Sequence, residues 1–122
     1  KMASIVEGEA RTLESREIVA GILWKRIAIG MALQVDASFK YINGKTTATL
    51  TTEDLKINSP YNSYTNRGLP PTPISNPGLE AIKATITPKK TPYLYFLTDN
   101  EGNMHYAADF EQHVENKLKY LR

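Results

Sequence analysis

Tyr93-Leu94-Tyr95-Phe96-Leu97-Thr98 is followed by Asp99-Asn100-Glu101-Gly102-Asn103 and then by Met104-His105-Tyr106-Ala107. The first six residues are mostly aromatic or aliphatic and hold no Gly or Pro, which predicts the strongest strand of the chain. The next five carry turn chemistry, and residues 104–107 return. This one hairpin decides the class, because the segments around it read as helix. Residues 108–121 predict a last helix with Phe110, Val114, Leu118 and Leu121 turned inward. Asn76-Pro77 predicts the start of a helix over 77–86, cap first and proline at the first helical position, with Leu79, Ile82 and Ile86 as its apolar face. Further back, residues 2–13 and 16–29 have helical spacing. Ser15 is the predicted N-cap of the second of these, and Gly30 its stop. Residues 34–41 fit a short helix or an extended piece. Asn43-Gly44 carries a turn signal, 46–52 reads as strand or open loop, and 52–55 as one helical turn. Helices with one hairpin and no βαβ alternation predict an α+β domain, helices packed with a small antiparallel sheet.

Residues 58–78 are of another kind. The chain has seven prolines, and Pro60, Pro70, Pro71, Pro73 and Pro77 fall here. That excludes a regular helix or a central strand. Tyr61, Tyr64, Leu69 and Ile74 are interleaved, so the segment reads as a stiff loop rather than a linker. The prediction is a long proline-rich loop forming one wall of a cleft.

The 122 residues fit one domain, 1–122. Hydrophobic residues at 41% and charged residues at 23% exclude wholesale disorder. A net charge of +2 argues against nucleic acid or an anionic membrane as the main partner. The absence of cysteine removes disulfides, cysteine zinc sites and thiol nucleophiles together. No apolar run approaches the roughly 18 residues that span a bilayer. Lys1-Met2-Ala3-Ser4-Ile5-Val6 reads as helix interior rather than signal peptide, so the chain is expected to be a fragment of a longer protein.

Glu7 is the first candidate for chemistry. It follows Ala3-Ser4-Ile5-Val6, and a carboxyl held against apolar neighbours keeps its proton near neutral pH, as a general acid must. The same pattern also fits an exposed helix glutamate beside Glu9. Gln34, Asp36, Ser59, Tyr61, Asn62 and Tyr64 form a second set. Rings stack on a pyranose face, and amides bond hydroxyl and N-acetyl groups. Asn and Ser beside proline equally serve turns without a ligand. His105 and His113 lack metal-ligand spacing, so no metal is expected. No phosphate loop and no G-x-S-x-G elbow occur.

Several segments together resemble one family. Ala3-Ser4-Ile5-Val6-Glu7 followed by Glu9 is similar to the A-S-I-V-E-x-E opening of the MltG/YceG-like endolytic murein transglycosylases. Arg16 to Gly21, with Arg26, Gly30, Met31, Leu33, Gln34 and Asp36, resembles the run R-x-x-V-A-G … R-L-x-x-G-M-x-L-Q-T-D-P-T-V. Ser59-Pro60-Tyr61-Asn62-Ser63-Tyr64 resembles S-P-Y-N-T-Y, and Gly68-Leu69-Pro70-Pro71-Thr72-Pro73-Ile74 resembles G-L-P-P-x-P-I. The match runs in order along nearly the whole chain.

The resemblance implies a catalytic domain that cleaves the β-1,4 bond between N-acetylmuramic acid and N-acetylglucosamine in nascent peptidoglycan. It leaves 1,6-anhydro ends and needs no cofactor. Glu7 is the implied catalytic residue, with the second set as implied substrate contacts. The implied partners are peptidoglycan glycan strands and peptidoglycan synthases, with no nucleic acid. The implied location is the outer face of the bacterial cytoplasmic membrane, reached through an anchor and a LysM-like subdomain upstream. One departure is Ala37-Ser38 in place of P-T, which predicts a looser loop there. The competing function is a non-catalytic peptidoglycan-binding or scaffold module. A pyridoxal-phosphate lyase would need a Schiff-base lysine and a phosphate loop, and neither motif is present. A hydrolase would need a second carboxylate about 5–9.5 Å from Glu7.

Overall fold

The computed structural model describes residues 1–46 and 49–121. Their element order is α1 (Met2–Glu9), α2 (Leu13–Ala28), α3 (Ala37–Asn43), a 3₁₀ turn (Asp54–Lys56), α4 (Leu79–Ile86), β1 (Tyr95–Thr98), β2 (Met104–Ala107) and α5 (Phe110–Tyr120). This is the α+β arrangement expected. The chain forms two compact units, residues 1–89 and residue 90 onward.

In the first unit, the apolar stretch predicted as one helix over 2–13 ends early. Ala10 is extended, its carbonyl is taken by the Arg16 Nε–H at 3.0 Å, and Thr12 opens a new helix. Thr12 Oγ1 accepts from the Ser15 N–H, and the Thr12 N–H donates to Ser15 Oγ, a reciprocal capping box. Ser15 is therefore the third residue of α2 rather than its cap. Gly30 ends α2 as predicted, at φ +74°, with the Met31 N–H returning to the Arg26 carbonyl at 2.8 Å. Asn43-Gly44 proves to be the stop of α3, with Gly44 left-handed at φ +76°, not a hairpin turn. The same dipeptide serves both purposes because each needs φ > 0. Within 46–52, the Thr49 N–H closes a turn on the Thr46 carbonyl. Thr47 and Ala48, also in that predicted stretch, lie outside the described residues.

Ile5, Val6, Val19, Ala20, Ile22, Leu23, Leu33 and Phe39 are fully buried and make the core of this unit. Each large member is worth roughly 1.5–3 kcal/mol of burial. Helix α4 begins at Leu79 with Gly78 as N-cap, two residues later than Asn76-Pro77 suggested. Its predicted apolar face is also corrected. Leu79 and Ile86 are 68% and 73% exposed, while Ala81 and Ala84 are buried against α1 and α2. The small alanines let α4 approach closely, and Trp24 Nε1–H bonds the Thr85 carbonyl across the gap.

The second unit is the hairpin with α5. The strands pair antiparallel with Tyr95 opposite Ala107 and Thr98 opposite Met104, as the opening stretch predicted. Helix α5 presents His113 and Asn116 to the sheet. Phe110, Val114, Leu118 and Leu121 are exposed, opposite to expectation. The His113 ring stacks on Tyr95 with centroids 5.1 Å apart, and Asn116 Nδ2 donates to the Tyr106 carbonyl. Ring stacking and hydrogen bonding hold the helix where an aliphatic stripe was predicted.

Candidate active site

Helix α1 advances about 100° per residue, so Met2, Ile5, Val6 and Glu9 share one face and Ser4 and Glu7 another. The Ser4–Glu7 face is lined by the end of the proline-rich loop. Ser4 Oγ accepts from the Ile74 N–H at 3.0 Å, and Ser75 Oγ donates to the Ser4 carbonyl at 2.8 Å. At the next turn the Gly78 N–H donates to Glu7 Oε1 at 2.6 Å. A Cβ on Gly78 would stand 3.0 Å from that oxygen, close enough to displace the carboxyl by a few tenths of an ångström.

Glu7 Oε2 meets Arg16 Nη2 at 2.7 Å. The same guanidinium reaches Glu80 Oε1 at 3.1 Å through Nη1 and the Ala10 carbonyl through Nε. Glu7 keeps 28% of its side chain in solvent. It is thus held by two charge-assisted bonds at a partly open position. The expectation of apolar neighbours around Glu7 is corrected. The carboxyl turned toward the core is Glu9, seven residues from Met2, four from Ile5 and three from Val6. Burial pushes Glu9 up from 4.5 to about 7; the nearby charge of Asp36 adds to this, and the Ala37 N–H bond and Arg26 oppose it.

The substrate-binding set divides. Gln34 is exposed between buried Leu33 and Val35, and its φ of +52° is the left-handed region that a non-glycine residue adopts at a cost. The bonds around it hold that conformation: the Gln34 N–H to the Ser63 carbonyl, the Val35 N–H to Ser63 Oγ, and Ser38 Oγ–H to the Val35 carbonyl. Asp36 Oδ1 accepts from the Tyr64 hydroxyl at 2.6 Å. Burial and this bond push the Tyr64 hydroxyl well above the ordinary tyrosine value. The Tyr61 ring packs tilted against Tyr41 with centroids 4.7 Å apart, and its hydroxyl bonds Thr72 Oγ1. Ser59 Oγ accepts from the Tyr61 N–H, a local turn.

Asn62 does not face Glu7. It is fully buried, donates to the Leu55 and Ile57 carbonyls at 3.1 and 2.9 Å, and accepts from the Tyr64 N–H at 2.9 Å. These three bonds fasten the loop. Asn62→Ala removes all three of these bonds from a buried position, with the Ile57 carbonyl keeping only the Ser59 N–H, and should cost about 2–3 kcal/mol. The melting temperature is expected to fall while the rate per folded molecule is unchanged. A full-stability variant with a reduced rate would contradict this.

The loop does enclose a pocket, between Pro60, Leu69, Pro70 and Ile74 on one side and Ile5, Leu33 and Val35 on the other. Its volume is about 10 Å³, room for one water. Glu7, Gln34 and Asp36 do not line it, because Ile5 projects to the far side of α1 from Glu7. The predicted looseness at Ala37 is also corrected: alanine leaves an N–H there, and Glu9 Oε1 takes it at 3.0 Å. Arg16, Gly78 and Glu80 are neighbours of Glu7 that pattern reading did not bring to it. Glu9, whose burial follows from its spacing from Met2, Ile5 and Val6, stands on the core side of the same helix.

The YceG-like family model matches residues 1–119. The endolytic murein transglycosylase of Bacillus subtilis (strain 168) is 38% identical over 120 residues, covering 98% of this chain and 33% of that protein. The protein of the same name from Streptococcus pneumoniae serotype 2 (strain D39 / NCTC 7466) is 36% identical over 126 residues, covering 98% and 23%. The crystal structure of a yceG-like protein from Listeria monocytogenes superimposes with a TM-score of 0.88 at 39% identity, covering 94% of this chain and 38% of that one. The chain therefore spans a quarter to a third of the curated relatives it matches.

Proposed function

Because this chain belongs to the YceG-like family, we propose that it is the catalytic part of an endolytic murein transglycosylase with Glu7 as its acid and base. The observation that carries the reading is the fixing of Glu7 by Arg16 and the Gly78 N–H while part of its side chain stays in solvent. In the proposed reaction, Glu7 gives its proton to the glycosidic oxygen as the bond from the muramoyl C1 to that oxygen breaks. The C6 hydroxyl of the same muramoyl residue attacks C1, and its proton returns to the Glu7 carboxylate. A 1,6-anhydro ring forms, no water is consumed, and the enzyme is restored. Arg16 supports this role because its guanidinium and the Gly78 N–H together fix where the two carboxyl oxygens of Glu7 point.

Exposed Gln34 is proposed to bond a substrate hydroxyl or acetamido group, and Tyr61 to offer a ring face to a sugar. Asp36 and Tyr64, already bonded to each other, are proposed to support that surface, as is Ser59. The proposed place of action is nascent peptidoglycan outside the cytoplasmic membrane, with peptidoglycan synthases as neighbours. No helix among the described residues is long and apolar enough to cross a membrane.

Mass spectrometry of muropeptides, after incubating uncrosslinked glycan strands with the protein, tests the reading. Anhydro ends are expected. Reducing ends would mean hydrolysis, with Glu80, which shares Arg16 with Glu7, as the second carboxylate to substitute. Binding without cleavage would leave the scaffold function.

A further inference from the structure

Helix α1 has eight residues, and Glu7 stands on its last turn. Short helices fray at their ends, so something must fix that turn if Glu7 is to meet a reacting atom. Arg16 and Gly78 hold the Glu7 side chain. The turn itself is held on its opposite side. Glu9 Oε1 accepts from the Ala37 N–H at 3.0 Å. Beside it, Gly8 lies so close to α3 that an added Cβ would stand 3.0 Å from Ala37 Cβ. The anchor point is itself immobilised. Phe39 of α3 is fully buried, Ser38 Oγ–H bonds the Val35 carbonyl, and the Tyr64 hydroxyl bonds Asp36, the residue before Ala37.

We propose that Glu9 is a positioning residue for Glu7: its carboxyl fastens the last turn of α1 to the start of α3, and so sets where the Glu7 carboxyl sits. The two glutamates project about 200° apart on one turn and divide the work. Glu7 meets substrate, and Glu9 meets backbone. The role needs a hydrogen-bond acceptor and not a charge, so an amide oxygen can fill it. It rests on the reading of Glu7 given above.

Steady-state cleavage of uncrosslinked glycan strands by the whole chain is the test, with thermal melts alongside. Glu9→Ala is expected to lower kcat about 10- to 100-fold with KM within about twofold, since small displacements of a reacting group cost rates of this order. Glu9→Gln is expected to keep kcat within about threefold. Gly8→Ala is the second variant and guards against Glu9→Ala failing to fold. Alanine favours the helix, yet its methyl pushes α1 from α3, so kcat should fall in a folded protein. Full kcat per folded molecule in Glu9→Ala or Gly8→Ala overturns the proposal, as does a Glu9→Gln variant as slow as Glu9→Ala. A wild-type chain that yields no anhydro ends overturns the reading of Glu7 and takes this role with it. An active wild type with unaffected variants overturns the positioning role alone.

Discussion

Glu7→Gln is expected to abolish glycan cleavage while leaving the fold in place. The amide keeps the shape of the carboxyl, and its oxygen can still accept from the Gly78 N–H, which Glu7 Oε1 meets at 2.6 Å. It cannot deliver a proton. It also ends the ion pair with Arg16, which keeps Glu80 as a partner on its other arm. The lost pair is partly solvated, so stability should change by no more than about 1 kcal/mol. General acid–base catalysis is worth roughly 10²–10⁴-fold, and here one group serves both steps. The rate should therefore drop by at least two orders of magnitude, read as anhydro ends released per hour, with the melting temperature within a few degrees. Residual activity above a few per cent would sink the assignment of Glu7. Arg16→Ala separates charge from shape. It should slow cleavage less than Glu7→Gln, because the acid–base group remains and loses only one of the two bonds that position it.

What could be read from sequence was local. The hairpin at 93–107 and the stop at Gly30 follow from residues adjacent in the chain. What escaped depended on neighbours far away. Leu79, Ile82 and Ile86 form an apolar stripe, yet α4 packs through Ala81 and Ala84, since periodicity reveals a stripe without saying where the rest of the chain will lie. Asn43-Gly44 supplies φ > 0 for a hairpin or a helix stop alike, and only the preceding helical residues decide. Asn62 in a proline-rich loop was compatible with a ligand or a turn. In the fold its amide bridges the Leu55 and Ile57 carbonyls, seven and five residues back, and no local pattern reveals those partners. Glu7 could be named, but its partners could not: Gly78 is 71 residues away, and Glu80 is 64 residues from the arginine that links them.

Glu9 gives the chain a stability that declines as pH rises, opposite to that of ordinary paired carboxylates. Asp54 and Asp99 show the ordinary case: the Lys45 bond and the His105 bond hold them below the usual carboxylate range, and their contribution is lost on acidification. Glu9 is raised from 4.5 to about 7, chiefly by burial. The folded chain therefore keeps a proton that the unfolded chain releases between about pH 4.5 and 7. Stability from this group is complete below about 4.5, falls as pH climbs through that window, and is flat above it. A shift of this size is worth on the order of 3 kcal/mol at full expression, an upper end because the side chain is partly solvated. Glu9→Gln removes the titration and keeps an acceptor for the Ala37 N–H. Urea denaturation of both proteins at pH 4.5, 6 and 8 isolates the effect, since Asp54, Asp99 and the other carboxylates cancel in the difference. The two midpoints should coincide at pH 4.5, and the variant should become the more stable by pH 8. Parallel curves across the range would show that Glu9 titrates in the fold as it does in the unfolded chain, and so is ionised in the fold well above pH 4.5. The core-facing side of α1 would then hold a carboxylate balanced by Arg26, rather than a protonated acid kept neutral by burial.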